Sequence, residues 1–208
     1  MLRPAALWLA LLSGCAAQPA EPRAAPAPSE APAPEPEPES VPFRVLAPKE
    51  RVPDFRVSST DGRSFPSKEW IGKQPFVVVF FATWCRVCDM KLPLVAQAIG
   101  PHAELPVLLV SLDDADTWDA VPDFLRRHRL PKPVVRGTSF PRFALAYDPL
   151  QTVPVVAVVG RNGYLVDYQV GYSASHGPRL AAAVELAVRM PADAPPFLDS
   201  PDAEPPDL

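Results

Sequence analysis

Two cysteines three residues apart, Cys85 and Cys88, are the groups in this 208-residue chain whose type and spacing best fit a chemical role. A thiolate is the nucleophile of disulfide exchange, and a second thiol close by resolves the mixed disulfide that the first attack leaves. Residues three apart on a helix share a face, with Cβ atoms roughly 5 to 6 Å apart, so a modest adjustment lets the two sulfurs close a bridge with each other. Cys85 comes first and is the better placed attacker, with Cys88 as the resolving thiol. Two plainer readings compete. A purely structural bridge would close too short a loop to constrain the unfolded chain much. A zinc site needs four ligands, and Cys15, His102, His128 and His176 lack metal-ligand spacing. No metal and no cofactor is therefore expected.

The pair needs a scaffold, and the flanking residues supply one. Phe76 to Phe81 is a continuous β-branched and aromatic run, too short for a membrane span, which fits a strand buried on both faces. From Asp89 to Ile99 the apolar positions Met90, Leu92, Leu94, Val95 and Ile99 recur mostly at three-to-four spacing, and Gly100-Pro101 supplies a stop. The cysteines thus sit where a buried strand hands over to a helix N-terminus. Free backbone N–H groups and the positive end of the helix dipole stabilise an anion there, and such settings lower a cysteine pKa from ~8.5 into a range of ~3.5 to 7.5. Arg86 favours the thiolate of Cys85 by charge, while Asp89 works against ionisation of Cys88.

Trp84-Cys85-Arg86-Val87-Cys88 after an apolar strand resembles the thioredoxin active site. Pro93 falls where thioredoxins carry the proline that kinks this helix, and Thr152-Val153-Pro154 before Val155 to Val159 resembles their cis-proline strand. Pro53-Asp54-Phe55 and Thr60-Asp61-Gly62 are similar to the opening of the TlpA and ResA type of membrane-anchored, extracytoplasmic thioredoxin-like proteins. The resemblance covers about residues 46 to 190 and implies an α/β fold, three layers α/β/α around a central mixed sheet, with thiol-disulfide oxidoreductase activity. It also implies that Trp84, Val153 and Pro154 bind substrate, Val153 offering backbone groups to an extended polypeptide. Protein dithiols and disulfides would be the substrates, and a membrane redox partner would reset the disulfide.

Thirty prolines exceed what one globule carries, and they crowd into Pro19 to Pro42 and Pro191 to Pro206. The net charge of -4 and the lack of a basic stripe argue against nucleic acid as a partner. Met1-Leu2-Arg3 is a minimal basic start, and Pro4 to Leu12 is an apolar segment of signal-peptide size. Leu12-Ser13-Gly14-Cys15 resembles the lipobox of bacterial lipoproteins, which implies cleavage after residue 14 and a lipid on the Cys15 sulfur. Ala16, with no Asp in that place, is similar to lipoproteins sorted to an outer membrane. Residues 15–45 read as the anchor cysteine and a disordered linker, whose stretch from Ala16 to about Pro42 alternates Pro, Ala and Glu and at ~3.1 Å per residue reaches about 80 Å. The acidic, proline-rich 191–208 reads as a disordered tail. The location implied is the periplasm-facing bacterial envelope.

Other elements follow by pattern. A hairpin is expected around Ser59-Thr60-Asp61-Gly62, with Ser67 capping a helical turn through Trp70. Val107 to Leu112 reads as a second buried strand, ending on Asp113, Asp114 and Asp116 as a solvated loop. Asp123 to His128 reads as a helix with His128 at the surface, and Ser139 and Pro141 as cap and first turn for Phe143 to Tyr147. Asn162-Gly163 marks a hairpin turn. The last helix spans about His176 to Met190, with Leu180, Val184, Ala187 and Val188 facing the core and His176 as a solvated end.

The chain also departs from the resembled families. Thioredoxins bury an Asp six residues before the first cysteine, here Val79, and ResA-like proteins carry a Glu three past the second, here Lys91. The base that activates Cys88 is then water or another carboxylate such as Glu69. Reduction of exported protein disulfides is the favoured direction, with oxidation or isomerisation as the alternative that Arg86 supports. A peroxiredoxin-like peroxidase is a second enzyme reading, although Val78 and Ala82 occupy the places of its Pro and Thr. A non-enzymatic lipoprotein binding copper through Cys85 and Cys88 is a third.

Overall fold

The Phe76–Phe81 run is the central strand of a five-stranded sheet, and all six of its side chains are buried. The computed structural model describes residues 46–130 and 133–195, so the readings placed on residues 1–14, on Cys15 and the 15–45 tether, and on 196–208 lie outside the described residues. In chain order the elements are β1 (Arg56–Ser58), β2 (Ser64–Pro66), β3 (Phe76–Phe81), α1 (Arg86–Ile99), β4 (Val107–Ser111), α2 (Val121–Arg127), β5 (Val134–Arg136), α3 (Pro141–Tyr147), β6 (Val155–Val159), β7 (Leu165–Val170) and α4 (His176–Arg189).

The sheet order is β5-β4-β3-β6-β7. β3 runs parallel to β4, and β4 parallel to β5, while β6 is antiparallel to both β3 and β7. This is the expected mixed sheet. Its two faces follow from the period-two alternation of a strand. Val77, Val79 and Phe81 point to one side, where they meet Leu92 and Val95 of α1, Phe124 and Leu125 of α2, and Leu180 and Val184 of α4. Phe76, Val78 and Phe80 point to the other, against Phe143 and Tyr147 of α3 and against Phe55, Val57 and Trp70 from the β1–β2 region. Full burial of each such side chain contributes roughly 1.5–3 kcal/mol, which is why β3 reads as an unbroken apolar run rather than an alternating one. The three-layer α/β/α arrangement is thereby present.

Phe55 is the hub of the second face, with its ring 5.0 to 6.0 Å from those of Trp70, Phe76, Phe143 and Tyr147. On the first face the Phe81 and Phe124 rings stack at 5.7 Å. The β6–β7 hairpin turns at Asn162-Gly163 as expected, Gly163 taking φ +80, a left-handed conformation that a side chain disfavours. Two capping expectations fail. The Ser67 hydroxyl does not cap the turn that follows it: it reaches back to Asp54 Oδ1 and accepts from the Phe55 N–H at 3.0 Å, tying the chain entry down. Ser139 lies in a separate short turn, and Phe140 precedes α3 without a side-chain cap, although Pro141 does open the helix.

Candidate active site

β3 ends at Phe81, three residues follow, and Cys85 becomes the residue that caps α1. The helix therefore begins at Arg86, three residues before the start that its apolar periodicity suggests, and Cys88 lies inside its first turn. The Cys85 sulfur acts as the cap. Its Sγ accepts the Cys88 backbone N–H at 3.2 Å and donates to the Val153 carbonyl at 3.4 Å. Cys85 is 7% exposed and Cys88 fully buried, and both are free thiols. Of the two, Cys85 is the residue that keeps some exposure. Burial is the main reason the Cys88 thiol is pushed well above its ordinary value, with the hydrogen bond to Cys85 and the nearby Cys85 and Asp89 charges acting the same way. At neutral pH Cys88 is a reserve thiol.

Pro154, just before β6, is joined to Val153 by a cis peptide bond, and the Val153 carbonyl accepts from the Cys85 sulfur. Trp84, next to Cys85 in the chain, is 57% exposed. With Thr83 it forms one wall of an open groove of about 830 Å³ whose other lining includes Asp116, Asp119, Phe124 and Arg127. Cys85, Cys88, Trp84, Val153 and Pro154, which lie up to 70 positions apart in the chain, are brought to one place by β3 and β6 being neighbours.

Several participants were not legible beforehand. Asp113 is not a solvated loop residue. Fully buried, it receives the Thr83 N–H at 3.0 Å, the Thr83 hydroxyl at 2.5 Å and the Ser111 hydroxyl at 2.7 Å, so it fixes the loop that leads into Cys85. Of the three acids 113, 114 and 116, the exposed ones are Asp114 and Asp116. His128 is not a surface residue either: its side chain is 10% exposed, with the ring edge on Phe124 and Nε2 3.0 Å from Asp89 on α1. Glu69, offered as a base, is exposed and follows Ser67 and Lys68 in the turn before Trp70, which packs on Phe76 at the opposite end of β3.

Lys91 occupies the place of a buried carboxylate and is itself fully buried. Its Nζ donates to Gln169 Oε1 at 2.5 Å and lies 2.9 Å from His176 Nδ1. Gln169 donates in turn to Asp167 Oδ2 at 2.6 Å, and Arg179 pairs with Asp167 Oδ1 at 2.5 Å. His176 therefore does not simply project into solvent from the start of α4; it is partly buried in a polar chain linking α1, β7 and α4. Burial lowers the Lys91 amine to about 8, with Arg179 acting the same way and Asp167 opposing. Burial, then the Lys91 and Arg179 charges, push the His176 imidazole down, so that it stays neutral and able to accept.

Comparison with known proteins agrees with this geometry. A curated thiol-disulfide oxidoreductase ResA from Bacillus cereus is 25% identical over 124 residues, 59% of this chain and 69% of that protein. The ResA of Bacillus subtilis is 27% identical over 134 residues, 61% and 73% of the two chains. In that of Bacillus thuringiensis the match is 29% over 85 residues and spans about half of the relative, 49%. Among solved structures, a thiol:disulfide interchange protein of the thioredoxin family from Chlorobium tepidum superposes with TM-score 0.53 at 20% identity, over 70% of this chain and 97% of that one. A thio-disulfide isomerase from Thermus thermophilus gives 0.52 at 24%, over 68% and 97%. The model of the AhpC/TSA family matches residues 48–168, from before β1 into β7, and so takes in both cysteines and the cis-proline: the chain belongs to the AhpC/TSA family, with a thioredoxin-like fold.

Proposed function

We propose that this protein is a membrane-anchored, extracytoplasmic thiol-disulfide oxidoreductase that reduces protein disulfides through Cys85 and Cys88. The observation that carries the reading is the Cys85 sulfur, held at a helix N-terminus between the Cys88 N–H and the Val153 carbonyl, with an exposed Trp84 alongside. The Cys85 thiolate attacks one sulfur of the substrate disulfide, and the bond that breaks sends its electron pair to the other substrate sulfur. Cys88 then loses its proton to water or to that expelled thiolate and attacks Cys85 Sγ. The second substrate thiolate leaves, so the substrate gains two electrons and Cys85–Cys88 becomes the disulfide. Asp89, the carboxylate that acts on Cys88, hinders this ionisation by charge and does not serve as its base.

What supports the reductive direction is the small number of donors at the Cys85 sulfur: it accepts one N–H, from Cys88, and gives its own hydrogen to the Val153 carbonyl, whereas a strong oxidant holds its sulfur among many donors. Val153, Pro154 and Trp84 bind the extended substrate segment. Cys15 carries the lipid, the 15–45 segment tethers the domain, and a membrane dithiol partner restores the reduced pair.

In the test, the full chain catalyses insulin reduction by dithiothreitol. Cys85→Ser abolishes it, and Cys88→Ser accumulates a mixed disulfide on Cys85. The Cys85/Cys88 equilibrium against glutathione lies far to the oxidised side for a reductant. A potential near those of strong oxidants would overturn the direction, and a Cys85→Ser protein of full activity would overturn the site.

A further inference from the structure

Two threonines stand next to the groups that meet at the reacting sulfur, and each gives both its N–H and its hydroxyl to one buried aspartate. Thr83, two residues before Cys85, gives them to Asp113, whose second oxygen is also taken, by Ser111. Thr152, just before Val153, gives them to Asp148 Oδ1, at 3.0 Å from N and 3.4 Å from Oγ1. The two carboxylates differ in one respect. Asp148 Oδ2 is buried and has no hydrogen-bond partner among the described residues, in a residue only 1% exposed.

Asp148 is an expensive choice at this position. It follows the last residue of α3, where the negative end of the helix repels an anion, and a buried carboxylate with one oxygen unmet costs more than an amide making the same contacts. What the ionised oxygen adds is a stronger, charge-assisted hold on its donors. The loop it holds is otherwise loosely anchored: Leu150, Gln151 and Thr152 are exposed, Gln151 sits at φ +49, and its N–H closes back onto the Asp148 carbonyl at 3.0 Å.

We propose that Asp148 is the positioning residue of loop 151–154, its carboxylate fixing Thr152 and thereby the Val153 carbonyl opposite Cys85 where a polypeptide disulfide is received. This rests on the exchange reading given above. The ionisable groups facing Asp148 are Tyr147, preceding it on α3 with its hydroxyl on the Pro53 carbonyl, and Tyr168 from β7, whose hydroxyl donates to the Tyr147 carbonyl at 2.8 Å. Burial, and after it the Asp148 charge, raise the Tyr168 phenol, which therefore stays neutral. Burial lifts Asp148 to about 6 against the lowering effect of the Thr152 bonds, so the hold weakens as pH falls through the mildly acidic range.

Wild type, Asp148→Asn and Asp148→Ala full-length proteins are compared between pH 5 and 8 in insulin reduction by dithiothreitol. Cys85 alkylation by iodoacetamide reports on the sulfur itself, and the Thr152 amide resonance on the loop. The wild-type KM for insulin rises about five- to tenfold from pH 7.5 to pH 5, the equivalent of one charge-assisted bond, while Asp148→Asn shows no such step. Asp148→Ala shows the raised KM throughout, and its Cys85 alkylation rate departs from that of wild type at pH 7.5, because the Val153 carbonyl that accepts from the Cys85 sulfur is no longer held. The Thr152 amide titrates near pH 6 in wild type and not in Asp148→Asn, a near-isosteric variant that keeps the question answerable should the alanine variant not fold. A Thr152 titration that survives in Asp148→Asn, or superimposable KM profiles, overturns the proposal. No insulin reduction at any pH, with the amide titration present in wild type and lost in Asp148→Asn, overturns the exchange reading and supports the hold on the loop.

Discussion

At the scale of single residues, the buried ionisable groups impose opposite pH dependences on stability. Asp148 is raised from 3.8 to about 6 on folding, so between those values the folded state binds the extra proton and stability falls as pH rises. Lys91 is lowered from 10.5 to about 8, so between about 8 and 10.5 the unfolded state binds the extra proton and stability climbs. Each window integrates to on the order of 3 kcal/mol. The stability advantage of Asp148→Asn over wild type therefore grows between pH 4 and 6 and is flat from pH 6 upward, as urea midpoints at matched slope will show. Lys91→Met behaves conversely: wild type gains on it only above pH 8. An unchanged gap across either window would mean that the group concerned is not held in the buried environment described.

At the scale of elements, the site depends on how one strand passes the chain to one helix. Asp113 is the peg: it lies just beyond β4, the parallel neighbour of β3, and ties down Thr83. Asp113→Ala leaves the Thr83 N–H and two hydroxyls without their acceptor in a buried site, a loss of about 2–4 kcal/mol. It also loosens Cys85, so the expected signature is a lowered denaturation midpoint together with a changed alkylation rate, whereas a merely structural loss would leave the rate alone. The β3–α1 junction and the proline of β6 were readable because each is written within about ten consecutive residues, as an apolar run, a cysteine pair or a proline before a valine run. Asp113 was read as solvated because its partner lies 30 residues away. His128 and His176 were misplaced for the same reason, their partners Asp89 and Lys91 being 39 and 85 positions distant. Asp148 and Thr152 are only four apart, yet the bond closes a turn around Pro149 that has no periodicity to betray it.

At the scale of the whole molecule, the described residues form a scaffold whose chemistry sits at one end of the sheet, and among them no helix is long and apolar enough to cross a membrane. The anchor proposed above lies in the first 45 residues, where Cys15 is the one cysteine left over once Cys85 and Cys88 are assigned. A cysteine outside the exchange site can be changed without touching the sulfur chemistry, so anchoring and activity separate cleanly. On the lipid anchor proposed above, Cys15→Ser expressed from residue 1 is expected to leave the membrane fraction, while the purified protein reduces insulin at the wild-type rate. Two acyl chains bind a bilayer stably where one binds marginally, so the shift should be nearly complete rather than graded. Persistence of Cys15→Ser in the membrane fraction would remove the lipid from the account and leave the apolar segment Pro4 to Leu12 as the means of attachment. Exchange activity that fell along with membrane association would show instead that the tether contributes to the domain's chemistry, not only to its reach.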